Sequence, residues 1–151
     1  MASDIDPSSL VLIVVGAHLR AEIGDRPLAN RLRDRIGKWL LEQCPPGTAP
    51  PCVPLVCCDV WYLNHEPLHR RPTISLGGPG VNALSAYLYR KLRTVFAREE
   101  HLIIQLDPEF TDLRACLWGM THELTVDALN LFDQKYLDPF LRAVATQVEP
   151  I

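Results

Sequence analysis

The sequence predicts an α/β protein: a single-domain three-layer α/β/α sandwich, Rossmann-like, with about five mostly parallel strands and one strand that could run antiparallel. Three observations carry this expectation. Apolar, β-branched runs of strand length recur along the chain, as strands buried on both faces do. Between them lie segments whose apolar residues repeat every three or four positions, as in amphipathic helices. The switches between the two patterns fall at glycine, proline or aspartate, the residues that punctuate local structure.

Residues 1–9 read as a flexible polar tail. "LVLIVVGAH" (10–18) is a continuous apolar run ending at Gly16, the first buried strand. Asp25 then suits a helix N-cap, with Pro27 in the first turn, where its missing N–H leaves no bond unmade. Leu28, Leu32, Ile36 and Leu40 give that helix one buried stripe, and Arg31, Arg33, Arg35 and Lys38 its solvated face. "CPPGTAPPCVP" (44–54) holds five prolines and one glycine, so it reads as a stiff loop, neither helix nor central strand.

"LVCCDVWYL" (55–63) is the second expected strand and "TISL" (73–76) a short third. A helix is expected over 80–97, with Val81, Leu84, Leu88, Leu92 and Val95 on one face. "HLIIQLD" (101–107) and "RACLWG" (114–119) are strands four and five. A last helix begins near Thr121, and Pro139 kinks or restarts it with Asp138 as a new cap. About nine residues separate strands two and three, and about seven separate four and five, whereas a parallel crossover takes about a dozen. Each pair is therefore a hairpin or an extended crossover. If they cross over, the loops after strands one, three and five meet at one end of the sheet.

Composition narrows the partners. A net charge of -3 lacks the broad basic face that captures nucleic acid. No apolar run reaches the ~20 residues that span a bilayer. Asp4 and Asp6 precede the first apolar segment, where a secretory leader carries basic residues, so a cytoplasmic setting is expected. Four of the five cysteines fall within residues 44–58, and in such a setting they read as free thiols. Cys57, Cys58, His65 and His69 lie close in sequence, but adjacent strand residues point to opposite faces, so no metal site is expected. The sequence implies no cofactor.

Three stretches could carry chemistry. Gly77-Gly78-Pro79-Gly80 turns a strand into a helix, and glycine there allows positive φ and close backbone approach to a ligand. Gly77, Gly78 and Gly80, with Asn82 in the first helical turn as a donor, are expected ligand contacts. The spacing matches neither a dinucleotide fingerprint nor a Walker loop, and Pro79 removes one N–H donor. In "WGMTHELTVDAL", Trp118 is a further ligand candidate, and His122 sits at a helix start that favours its neutral form, suited to acid–base work. After strand one, His18, Arg20, Glu22, Asp25 and Arg26 crowd the strand's carboxyl end, where doubly wound sheets bind ligands. His18, Glu22 and His122 are the expected acid–base groups. Asp25 and Arg26 are expected ligand contacts, Arg26 as a bidentate anion partner.

The pairing of the Gly-Gly-Pro-Gly-x-Asn turn with the later Gly-x-Thr helix start resembles repeats of some archaeal surface-layer proteins. It rests on common turn residues and carries no family assignment. Three functions follow from the residues themselves. The first is binding of a small anionic ligand, a nucleotide or phosphate-bearing metabolite, at the strand carboxyl ends. The second is a hydrolase or transferase using His/Glu acid–base chemistry. The third is a non-catalytic, homo-oligomeric assembly module built on the apolar segment 52–63 and the arginine-rich helix faces.

Overall fold

The computed structural model describes residues 7–50 and 52–146. In chain order these form β1 (Leu10–Val15), α1 (Leu19–Gln43), β2 (Val53–Cys58), α2 (Asp59–Leu63), β3 (Thr73–Leu76), α3 (Ala83–Leu88), β4 (Thr94–Arg98), β5 (Leu102–Leu106), β6 (Arg114–Gly119), α4 (His122–Lys135) and α5 (Leu137–Thr146). The strands make one sheet in the order β2-β1-β3-β6-β5-β4. β1, β2, β3 and β6 are parallel, and β5 is antiparallel to both its neighbours. β5 alone therefore runs against the other strands. No helix among the described residues is long and apolar enough to cross a membrane.

β1 shows why its sequence lacks alternation. Val11, Ile13 and Val15 join an apolar cluster with Leu32 and Ile36 of α1, Phe132 of α4 and Phe140 of α5. Leu10, Leu12 and Val14 point the other way, into a cluster with Tyr62 of α2 and Leu84 and Leu88 of α3. Burying both sides removes any selection for polar residues at alternate positions. On the first side, the Trp39 indole N–H donates to Asp138 Oδ1 at 3.0 Å, joining α1 to α5.

The sheet has six strands where about five were expected, and the extra one is β4. The 80–97 segment is not one helix: α3 ends at Leu88, and Thr94–Arg98 pairs with β5. Gln105 accounts for the break. Its carboxamide nitrogen is 3.0 Å from the Tyr89 carbonyl and 3.1 Å from that of Leu92, so it satisfies carbonyls a continuing helix would have used. Beyond it, Thr94, Val95 and Phe96 are the β-branched and aromatic types that suit a strand.

The expected strand 55–63 also divides. β2 begins earlier, at Val53, and ends at Cys58, because the Asp59 carboxylate accepts the Val60 N–H at 2.7 Å and opens a helix. Val53 and Pro54 thus leave the proline-rich loop for the sheet. A proline fits because β2 is an edge strand, with β1 as its one neighbour. The shorter β2 leaves room for α2 and a 3-10 turn (Glu66–Arg70) before β3, so this connection is a crossover. The β5–β6 connection is a hairpin. Its turn is gathered by Asp107, which accepts the backbone N–H groups of Glu109, Thr111 and Asp112, each at 3.0 Å. The Asp112 donor, first among these, holds the Asp107 carboxyl below its ordinary value.

Two helix starts differ from expectation. α1 begins at Leu19, capped by His18, whose Nδ1 accepts the Arg20 N–H at 3.1 Å. Asp25 is therefore no cap, and Pro27 lies inside the helix. The buried stripe extends upstream through Asp25 to Ala21, and that packing outweighs the bond Pro27 cannot donate. α5 starts at Leu137, so Asp138 lies in its first turn and pairs with Arg142 at 2.8 Å. Of the expected tail, Pro7–Ser9 form a 3-10 turn and residues 1–6 lie outside the described residues.

Candidate functional site

Because β1, β3 and β6 are adjacent and parallel, the loops that follow them open at one end of the sheet. The end of β1 meets the β3 loop at Gly16, where a side chain would overlap the Val81 carbonyl. Asp59 draws the same parts together. Its Oδ1 accepts the Ala17 N–H at 3.0 Å and its Oδ2 the Ala83 N–H at 2.7 Å. β6 ends at Gly119, where a side chain would strike the backbone of Leu124 and Thr125 in α4. Thr121 then caps α4, accepting the Leu124 N–H at 3.2 Å.

Between these loops lie two hollows. One, of about 140 Å³, is lined by Asp25, His122, Thr121 and Thr125 among others. The second, of about 290 Å³, is lined by Pro79, Gly80 and Trp118. Arg20, Gly78, Val81, Gly119 and Met120 belong to both, so the two form one cleft. A larger hollow of about 670 Å³ between α1 and β2 is an open trough away from the converging loops.

Asp25 is the unusual group. It sits on the buried stripe of α1 at 8% exposure, facing the cleft. Burial raises its pKa from 3.8 to about 6, against the lowering pull of His122 and Arg20. Gly77 has φ +109, and a side chain there would come within 2.5 Å of Asp25 Oδ2. Both the conformation and the space therefore require glycine.

The sign of the linkage follows. Between pH 4 and 6 the folded state keeps a proton on Asp25 that the unfolded chain has released. Stability should therefore fall as pH rises through that window and level off above it. Asp25→Asn should remove this fall and stabilise the protein by about 1–2 kcal/mol at pH 7.5. That is below the full value of the shift, because the carboxyl meets the open cleft. Urea unfolding of both proteins at pH 4.5 and 7.5 checks it, and equal pH slopes would contradict the assignment.

Of the residues expected from sequence, the cleft brings together Asp25, Gly78, Gly80, Trp118 and His122, with Gly77 against Asp25. The indole ring of Trp118 lies along Gly78, where an added Cβ would be 3.5 Å from it. Others lie outside its lining. His18 is the exposed cap of α1. Glu22 and Arg26 form an ion pair at 3.0 Å one turn apart. Asn82 is 1% exposed and wholly engaged: its amide donates to Val14 and Leu76 carbonyls, and its oxygen accepts from Leu84 and Ser85. It holds β1, β3 and α3 in place.

Arg20 stands in the sequence among the residues that crowd the end of the first strand, but it is not one of the expected ligand contacts. It lines both hollows, and its guanidinium makes no ion pair among the described residues. A signal existed: Glu22 precedes Arg26 by four residues, the spacing of a helical ion pair, which commits Arg26 and leaves Arg20 as the unclaimed cation. No family model, curated protein or solved structure matches the chain.

Proposed function

We propose that this cleft binds a small anionic ligand, of the class of a nucleotide or phosphate-bearing metabolite, with Arg20 as its charge partner. The observation that carries the proposal is the Arg20 guanidinium in the wall of both hollows, which makes no ion pair among the described residues though its charge is felt by Asp25. Arg26, Arg114 and Arg142, by contrast, are paired with carboxylates. A guanidinium presents a fork of donors that matches a phosphate or carboxylate edge. The Gly77-Gly78-Pro79-Gly80 turn keeps the wall beside it free of side chains, apart from the proline ring.

The larger reading of the fold belongs to the same proposal. We take the sheet with its two helix-covered faces as a Rossmann-like three-layer sandwich. β1 feeds β2 on one side and β3 lies on its other side. That reversal is the switch point at whose carboxyl end doubly wound sheets hold ligands. A cytoplasmic setting fits the five free thiols. The net charge of -3 fits a protein that does not hold nucleic acid.

The test is a thermal-shift and calorimetric titration with inorganic phosphate, ADP and a hexose phosphate. A compound at a hundred times its dissociation constant adds about 2.7 kcal/mol to stability, readily seen at this size. Arg20→Ala should weaken the best compound at least about tenfold, whereas Arg26→Ala should leave it unchanged. Failure of all three compounds, or loss on Arg26→Ala alone, would refute the proposal.

One observation favours a second reading. Asp25 and His122 face the same hollow, and a carboxyl raised to about 6 beside a histidine suits general acid–base work. Turnover of a bound phosphate ester that is lost on both Asp25→Asn and His122→Ala would make the protein a hydrolase or transferase. The assembly reading rests on Val53, Val60 and Trp61, exposed at 52%, 54% and 40%. A sedimentation mass of one chain at working concentration would remove it.

A further inference from the structure

We propose a second binding site in the groove between α2, α3 and the amino end of β6, for a small ligand with an aromatic or aliphatic body and one carboxylate. It is independent of the cleft. β6 runs from Arg114 in this groove to Trp118 and Gly119 in the cleft, so about 17 Å of strand separates the two.

Two hollows make the groove. The first is about 300 Å³, with Tyr62, Leu63, Leu84 and Tyr87 in its wall. The second is about 170 Å³, with Arg70 and Asp112 in its wall. His69 and Arg114 border both, so an apolar half and a charged half meet at these two side chains.

The apolar half is built like a slot. Tyr62 and Leu84, each 3% exposed, belong to the core and form its floor. Leu63 and Tyr87 stand at its sides and remain 39% and 52% exposed. The Tyr62 ring is fixed from two directions. Its hydroxyl is 3.4 Å from the Thr73 hydroxyl, and the His69 ring lies 4.8 Å away. His69 is itself fixed by its Nε2–H, which donates to the Tyr62 carbonyl at 2.8 Å. A floor already ordered by such contacts loses little freedom when a ring settles on it. A hollow near 300 Å³ is at the small end of ligand sites, which fits a body of about two fused rings.

The charged half selects the anion. Arg114 is held by both Asp112 oxygens, each at 2.8 Å, so those charges offset one another. Arg70 makes no ion pair among the described residues, and Lys91 lies 5.6 Å from the centre of the Tyr87 ring. Arg71, in the same wall, is buried and its Nε–H donates to the Leu10 carbonyl at 3.0 Å, so Arg70 is the exposed guanidinium that can meet a carboxylate edge. Arg70 is thus the carboxylate's partner and Tyr87 the wall of its ring.

The probe is 2-naphthoate, titrated calorimetrically against the full chain, with uncharged 2-naphthalenemethanol for comparison. One-to-one saturation is expected below about 1 mM, with the alcohol bound at least about fivefold more weakly. Arg70→Gln should weaken 2-naphthoate about fivefold and Tyr87→Ala about tenfold. Both positions are exposed, and unchanged thermal midpoints would show that both variants fold. Arg20→Ala should bind 2-naphthoate as the parent does. Absence of saturation, equal binding of the alcohol, parent-like binding by both groove variants, or loss on Arg20→Ala would each overturn the site.

Discussion

Gly16→Ala should be the most damaging single-methyl change in this chain, destabilising it by about 3–5 kcal/mol or preventing folding. A Cβ at Gly16 would overlap the Val81 carbonyl and crowd the Ala21 side chain. Val81 cannot withdraw cheaply. Its own N–H donates to Gly78 at 3.1 Å, and the following Asn82 is bonded to both β1 and β3. Ordinary domains hold only about 5–15 kcal/mol in total, so such a loss would show as a low yield or a much earlier urea midpoint. Gly80→Ala is the control. No atom lies within 4 Å of its added Cβ, and its stability should stay within about 0.5 kcal/mol of the parent. Similar midpoints for the two variants would disprove the close approach of β1 and the β3 loop.

Asp59→Ala is expected to come second, at about 3–5 kcal/mol. The carboxylate is 5% exposed and accepts three backbone N–H groups, those of Ala17, Val60 and Ala83. Removing it leaves three donors without their acceptor, each worth about 1–3 kcal/mol where water cannot replace it. Asp59→Asn should fall between parent and alanine, because the amide keeps one of the two accepting oxygens. Urea unfolding of the three proteins orders them. An alanine variant within about 1 kcal/mol of the parent would mean that water reaches those donors.

Much of the fold was legible because apolar runs leave few alternatives. "LVLIVV" and "RACLWG" can hardly be anything except buried strands, and Thr121 stands where a cap is needed. β4 was not legible. Val95 continues the spacing of Leu84, Leu88 and Leu92, so the helical period runs on through a segment that Gln105, from the neighbouring strand β5, interrupts. Asp59 was equally hidden, since an aspartate in an apolar run gives no sign of donors that arrive from Ala17 and Ala83.

The cleft was partly legible. The glycine turn, Trp118 and His122 could be expected near strand ends. Asp25 read as a cap because it lies just ahead of a proline. Its spacing of four residues from both Ala21 and Ala29 was the sign that it lies on the buried stripe instead. Asn82 shows the opposite limit: residue type told of hydrogen-bonding capacity, and only the fold told that all of it is taken.

The single reversed strand divides the sheet by the length of chain each pairing must close. Arg98 pairs with Leu102 across a tight turn, whereas Leu10 must find Val53. Loop-closure entropy grows with the logarithm of the enclosed length, which makes the second pairing costlier by ~2 kcal/mol. The meander of β4, β5 and β6 is thus the locally wired half, and β2, β1 and β3 the half wired at long range. Arg20, Asp25, Gly78 and Val81 all belong to the long-range half, and β6 is the seam that joins it to the other. The cleft exists only when distant parts of the chain are held together, so its shape reports the completeness of the whole sheet.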